Sequence, residues 1–346
     1  MTDHLRNTPV SRRDLIRLSG GTAAAVGLGA LATPASAGTR GTGAPGGAAS
    51  GATTDGTGSA SLSPGADIRP RSSGADLLIR DGSPHWWLSP DIWVVPGPDP
   101  NGTPGTPAAG DTAYVWARVQ NTGQKDVFGA ELRFYWGNPS VQMFYSTLNL
   151  IGTAYADIKA GESQDVLCLV PWRVVTVNNG HECLVVVAST PDDPPLPDAV
   201  DPVSYPNVAQ RNLTLASSSS KEDFKLTVTV SAPRRESKRV RIGAQIGGEL
   251  SREALRTLGL ADGRPVEKPV VEVGFAEKPI TNPKDGVGEP WLELEVPAGR
   301  SVPVYLTIRG GADLPAGAYQ LVEVIETQKE QTLGGISFAV VGEGRR

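Results

Sequence analysis

The sequence predicts an all-β protein: two immunoglobulin-like β-sandwiches in tandem, after a signal peptide and a disordered linker. Three observations predict it. Short runs of aromatic and β-branched residues recur between residues 113 and 341, each bounded by Asn, Gly or Pro. The chain carries 41 Gly and 29 Pro in 346 residues, about a fifth of its length, which suits a turn-rich β protein joined to a low-complexity segment. A turn–strand–loop–strand unit also repeats. Ala160-Gly161-Glu162-Ser163 precedes a strand as Ala298-Gly299-Arg300-Ser301 does, with Val166 and Val170 falling where Val304 and Ile308 fall. Gly180, Leu184, Val185 and Val187 likewise correspond to Gly317, Leu321, Val322 and Val324.

Residues 1–37 read as an address. Ser11-Arg12-Arg13-Asp14-Leu15-Ile16-Arg17 is a positive region, residues 18–32 are weakly apolar, and Ala35-Ser36-Ala37 is a small-x-small cleavage site. Arg12 and Arg13, followed by Asp-Leu-Ile-Arg, resemble a twin-arginine translocation signal, so export with cleavage near Ala37 is expected. The alternative is an uncleaved anchor. Crossing a bilayer takes about 20 strongly apolar residues, and this run is shorter and diluted by Gly, Ala and Thr. No Cys follows it, which argues against lipid attachment. Removing the signal takes the net charge from −5 to −7 and leaves no transmembrane span in the mature chain. Residues 38–74 are Gly, Ala, Ser, Thr and Pro with almost no large apolar side chain, and read as a disordered linker.

The first sandwich is expected over residues 75–216. Residues 113–120 form a strand closed by Asn121-Thr122-Gly123, and residues 131–136 alternate charged and apolar side chains up to Gly137-Asn138-Pro139. Residues 165–170 and 183–188 are two further strands around Asn178-Asn179-Gly180, and residues 208–215 are the last. The polar stretch 217–223 is the predicted boundary. The second sandwich, residues 224–343, opens on the strict alternation of residues 224–230. It continues through strands at 270–275, 291–296, 302–308, 319–326 and 336–341. One short helix is expected over residues 251–259, with Ser251 as N-cap and Gly259 as its stop.

These residues also carry a family resemblance. Trp86-Trp87-Leu88-Ser89-Pro90-Asp91-Ile92-Trp93-Val94, the strand ending Asn121-Thr122-Gly123, and Leu132-Arg133-Phe134-Tyr135-Trp136 are similar to the CARDB-type module, a cell-adhesion-related domain of bacteria. Ala160-Gly161-Glu162-Ser163 and Asn207-Val208-Ala209-Gln210-Arg211-Asn212 fit the same pattern, so the resemblance spans residues 84–216. It implies an exported seven-stranded sandwich, often an accessory module, with no catalytic residues to transfer. The second domain is only generically immunoglobulin- or fibronectin-like.

Composition narrows the function classes. A net charge of −5 argues against a nucleic-acid-binding protein, and three His with two Cys leave little for a metalloenzyme. There is no Gly-x-Ser-x-Gly elbow, no His-Glu-x-x-His and no phosphate-binding Gly-rich loop, and the mature chain offers only His85 and His181 as imidazole bases. No enzyme, catalytic residue or cofactor is expected.

Binding residues remain to be placed. Cys168 and Cys183 lie in consecutive predicted strands; they are a disulfide candidate if those strands form a hairpin, or else two buried thiols. His181 adjoins them, but a structural zinc needs a fourth ligand that the spacing does not supply. Trp86, Trp87 and Trp93 are the ligand-binding candidates, able to stack on sugar rings, whereas Trp116 and Trp136 suit core packing. Asp192, Asp193, Asp198 and Asp201 are weak calcium candidates in a Pro-rich loop without a calcium-loop pattern. Arg234, Arg235, Lys238, Arg239 and Arg241 mark either a solvated strand pair or an anionic contact. The expectation is an exported, non-catalytic binding or adhesion protein at the cell surface or outside it, whose partner is a surface protein or glycan. The alternatives are a carbohydrate-binding accessory module and a structural spacer of a secreted assembly.

Overall fold

A computed structural model describes residues 74–175, 183–191, 193, 196–218, 223–310 and 314–342. All of them lie within one compact unit, Ser63–Arg346. The signal, the linker as far as residue 73, His181 and Asp192 fall outside the described residues.

The first sandwich contains β1 (Leu77–Leu78), β2 (Ile92–Pro96), β3 (Thr112–Asn121), β4 (Val127–Gly137), β5 (Asn149–Ile158), β6 (Ser163–Leu167), β7 (Trp172–Arg173), β8 (Cys183–Ser189) and β9 (Val208–Arg211). In one sheet β3 pairs antiparallel with β1, β2, β6 and β7. The facing sheet runs β5-β4-β8-β9, also antiparallel. Alternation sets which side chains enter the core. Ala113, Val115, Ala117 and Val119 of β3 face Leu132 and Phe134 of β4 and Val186 of β8. Strand β8 is an unbroken apolar run because both its faces are covered. Val185 and Val187 pack outward under Met143, Val200 and Tyr205, from the loops before β5 and before β9. At the edge of the sandwich Arg211 is buried and donates from Nη1 to the Ile92 carbonyl (2.7 Å), tying β9 to β2; desolvation pulls its guanidinium down to about 10.

The second sandwich contains β10 (Leu213–Ser218), β11 (Phe224–Ser231), β12 (Lys238–Ile246), α1 (Arg252–Thr257), β13 (Arg264–Pro265), β14 (Val271–Ala276), β15 (Trp291–Val296), β16 (Ser301–Gly310), β17 (Ala318–Gln328) and β18 (Gln331–Gly342). Its sheets run β11-β16-β14 and β10-β18-β17-β12-β15, with β13 added beside β17. Leu226, Val228, Ile242, Phe275, Leu306, Val324 and Phe338 fill the space between them. The helix starts where the sequence places it: Ser251 accepts from the Ala254 N–H (3.1 Å), and Gly259 ends it at φ +74°. Its Ala254, Leu255 and Leu258 cover Tyr319 and Leu321 on the outer face of β17.

Two expectations are corrected. The strand expected over residues 208–215 is two strands, split at Asn212. β9 ends the first sandwich, whereas β10 pairs in parallel with β18 of the second, Leu213 to Ser337 through Ser218 to Gly342. Asn212 holds the crossing. Its N–H donates to the Trp87 carbonyl (2.9 Å), its carbonyl accepts from Ser337 (2.8 Å), and its Nδ2 donates to the Gly335 carbonyl (3.1 Å). The loop signal at 217–223 is therefore not the junction between the sandwiches.

Cys168 and Cys183 are not joined by a disulfide. The chain between them crosses from one sheet to the other instead of turning back as a hairpin. Cys168 points into the first core, while Cys183, opposite Gly137, points outward toward Met143. Burial pushes the Cys168 thiol up, partly offset by its contact with the Val170 carbonyl.

The two sandwiches share a packed, hydrogen-bonded junction. Residues 139–144 insert into the end of the second sandwich, where Val141 joins its core. Thr229 donates to the Pro139 carbonyl (2.8 Å), and Ser140 Oγ contacts the Thr229 carbonyl (3.0 Å). Two glycines in β18 allow the approach. A Cβ at Gly334 would overlap the Val141 carbonyl oxygen, and one at Gly335 would lie 2.5 Å from Trp87 Cε2.

Candidate functional site

The sequence-nominated tryptophans do not form one site. Trp87 is 2% exposed and lies over Gly335, donating from Nε1 to Ser337 Oγ (3.0 Å). That removes it as a ligand-binding residue: a flat ring with one donor is used here to seal a sheet face. Trp86 is half-buried and meets the edge of Trp87, their centroids 5.7 Å apart. His85 packs on Trp87 at 5.5 Å and its Nδ1 lies 2.8 Å from Glu323 Oε1. Ser337 Oγ is 3.3 Å from the same oxygen. Burial raises the Glu323 carboxyl, and the neighbouring imidazole and Ser337 hydroxyl oppose the rise. Ser337 is fully buried and bonds to Glu323 and Trp87, so the group holds the junction together and presents no nucleophile to solvent.

A second buried group lies at the same junction. Lys238 of β12 contacts Glu326 Oε1 (2.5 Å), Gln142 Oε1 of the inserted segment (2.8 Å) and the Phe144 ring (5.9 Å). Burial pushes Lys238 down and Glu326 up, and each ion counters the shift of the other. This corrects the reading of Lys238 as part of a solvated basic cluster. The other cations fit it better: Arg239 faces Glu295 at 3.7 Å, and Arg241 lies 4.2 Å over the Trp291 ring.

The acidic loop is occupied by its own turns. Asp198 accepts from the Ser146 N–H (2.9 Å) and hydroxyl (2.8 Å), Asp201 from Ser204 (3.0 Å) and Asp193 from Thr190 (2.6 Å). Among the described residues no three His, Cys, Asp or Glu side chains form a metal-binding group.

Trp93 keeps its candidacy and gains a partner. It stands directly opposite Trp116 in the β2–β3 ladder, and the rings stack at 6.0 Å with planes 5° apart. Both are half-buried, and neither belongs to a core. They lie on the outer face of the β3 sheet, since alternation sends Val115, Ala117 and Val119 inward. Trp116 Nε1 donates to the Pro100 carbonyl (2.9 Å), so the Pro-Gly loop after β2 walls one side. Asp99 and Asn101 form the tip of that loop, with the Asn101 N–H donating to Asp99 Oδ1 (2.9 Å). Two residues beyond Trp116 on the same face, Arg118 makes a two-pronged pair with Asp165 of β6 (2.6 and 2.8 Å), which holds its guanidinium above the ordinary range. Trp116 lies outside the core and packs across the strands on Trp93 instead. The signal lay in Val115-Trp116-Ala117-Arg118, where the ring shares a face with a charged residue.

No family model matches the chain, and no curated protein matches it in sequence. Solved structures that resemble it include the CupB6 tip adhesin from Pseudomonas aeruginosa (TM-score 0.22, 11% identity, 74% of this chain and 98% of that one). Also similar is the calcium binding domain CBD12 of CALX1.1 (0.17, 11%, 62% and 74%). Red sea bream transglutaminase is a third (0.20, 10%, 73% of this chain), and the chain spans 31% of its length. Among the described residues no helix is long and apolar enough to cross a membrane. The sheets themselves make the chain a tandem of two β-sandwiches.

Proposed function

We propose that this chain is an exported, non-catalytic binding protein that works by adhesion at the cell surface or outside it. One observation carries the reading: an aromatic pair, Trp93 and Trp116, stacked on the outer face of the β3 sheet and left half-exposed outside either core. The same sandwich also exposes Phe128, Leu150 and Tyr155 on β4 and β5, so its outer surface is the apolar one. Rings left half-exposed on a flat sheet are a binding surface that folding itself does not use. The packed junction adds stiffness, so a ligand on the first sandwich is held at a set orientation to the second. The resemblance of residues 84–216 to the CARDB-type module supports the same reading, and Arg12 and Arg13 support export by the twin-arginine route.

The labelled full chain should bind isolated cell envelopes saturably, and Trp116→Asp should remove most of that binding without unfolding the protein. Binding that is absent, or unchanged in Trp116→Asp, refutes the reading. Replacing Arg12 and Arg13 with Lys should leave the chain inside the cell; normal export of that variant refutes the twin-arginine route.

A further inference from the structure

The geometry points to a neutral carbohydrate as the ligand of the Trp93–Trp116 face, an inference that rests on the binding function proposed above. The face carries two near-parallel indoles on adjacent strands that stack on each other with centroids 6.0 Å apart, so each keeps one face free of the other. A pyranose ring has faces of apolar C–H groups, which an aromatic ring accepts, and a rim of hydroxyls, which need donors and acceptors in the same place. Both requirements are met within one sheet face. Trp93 and Trp116 offer the apolar surface. Arg118 and Asp165, paired to each other and about half-exposed, still offer N–H groups and carboxylate lone pairs to hydroxyls.

Charge selects among polymers. Arg118 beside the rings is bonded at both Nε and Nη2 by Asp165, and the neighbouring Arg80 likewise by Asp91, so neither leaves an uncompensated positive charge for a sulfate, phosphate or uronate. The carboxylates are likewise neutralised, so a polycation gains nothing there. A protein strand would dock through its backbone on a sheet edge, whereas Trp93 and Trp116 project from the face of the sheet.

Native gel electrophoresis of the full chain through gels containing xylan, hydroxyethylcellulose, mannan or polygalacturonate tests the assignment. Retardation is expected in at least one neutral polysaccharide and not in polygalacturonate. Trp93→Ala and Trp116→Ala should each weaken binding about ten-fold or more, the loss of one stacking contact. Trp291→Ala, which removes an exposed indole from the second sandwich, should leave binding unchanged, and circular dichroism verifies that each variant is folded. Retardation that survives Trp93→Ala and Trp116→Ala overturns the site. Retardation by polygalacturonate alone, or by none of the four, overturns the ligand class. Envelope binding lost in Trp116→Asp but unmatched by any neutral glycan would keep adhesion and discard the carbohydrate.

Discussion

Replacing Trp87 with Ala should uncouple the two sandwiches. The indole is 2% exposed, lies over Gly335 and donates to Ser337 Oγ across 250 positions of sequence. Burying about 200 Å² of aromatic side chain at about 25 cal/mol per Å² corresponds to ~5 kcal/mol of transfer free energy as an upper bound. Measured Trp and Phe truncations in cores cost about 3–5 kcal/mol, with the spread set by how far the site collapses. Collapse is limited here, because β18 is held between β10 and β17 and cannot move onto the vacated space. A loss of about 3–4 kcal/mol is therefore expected. Guanidinium unfolding followed by tryptophan fluorescence and far-UV circular dichroism reads it. The wild-type chain should unfold in one transition, because Val141 of the first half belongs to the second core; the variant should show two. A single transition with a loss below about 1 kcal/mol would refute the idea that this ring joins the halves.

Three further outcomes are expected. Lys238→Met should cost about 3–5 kcal/mol by leaving the Glu326 carboxylate buried without its ion, and Lys238→Met with Glu326→Leu should recover most of it; chemical denaturation that finds the double variant no better than the single refutes the pairing. Burial raises the Glu323 carboxyl, so its contribution to stability is present at low pH and is lost as pH rises through the folded-state value. Glu323→Gln removes the ionising group, so its melting temperature should fall less than that of wild type between pH 5 and pH 8; an equal fall in both would count against it. Denatured, alkylated protein should carry two modified thiols by intact mass with or without prior reductant, Cys168 and Cys183 lying on opposite faces of a sheet; an unmodified disulfide mass would contradict the fold.

Much of the architecture was legible because strands announce themselves locally. The alternation of β11, the apolar run of β8 and the repeated turns before β6 and β16 each depend on residues two apart in one segment. Strand β5 was missed: Ile151-Gly152-Thr153-Ala154 is neither strongly β-branched nor cleanly alternating, and small residues enter there because Val170 packs against Gly152. The repeat was legible as well, but not that its two strands lie in opposite sheets. That single fact separates Cys168 from Cys183.

Composition and local pattern alone determined the all-β class, the two sandwiches, the capped helix at Ser251 and the scarcity of catalytic side chains. Each follows from short-range preferences of the backbone and from counts that no fold can change. Tertiary structure decided which exposed-looking residue is exposed. Trp86, Trp87 and Trp93 read alike in sequence, but Trp87 seals the junction, Trp86 packs beside it, and Trp93 stacks on Trp116 in the open. The reason is that burial is a property of what arrives from elsewhere in the chain. Gly334 and Gly335 of β18, about 250 positions away, admit residues 139–144 and Trp87, and no local pattern at either place encodes that meeting.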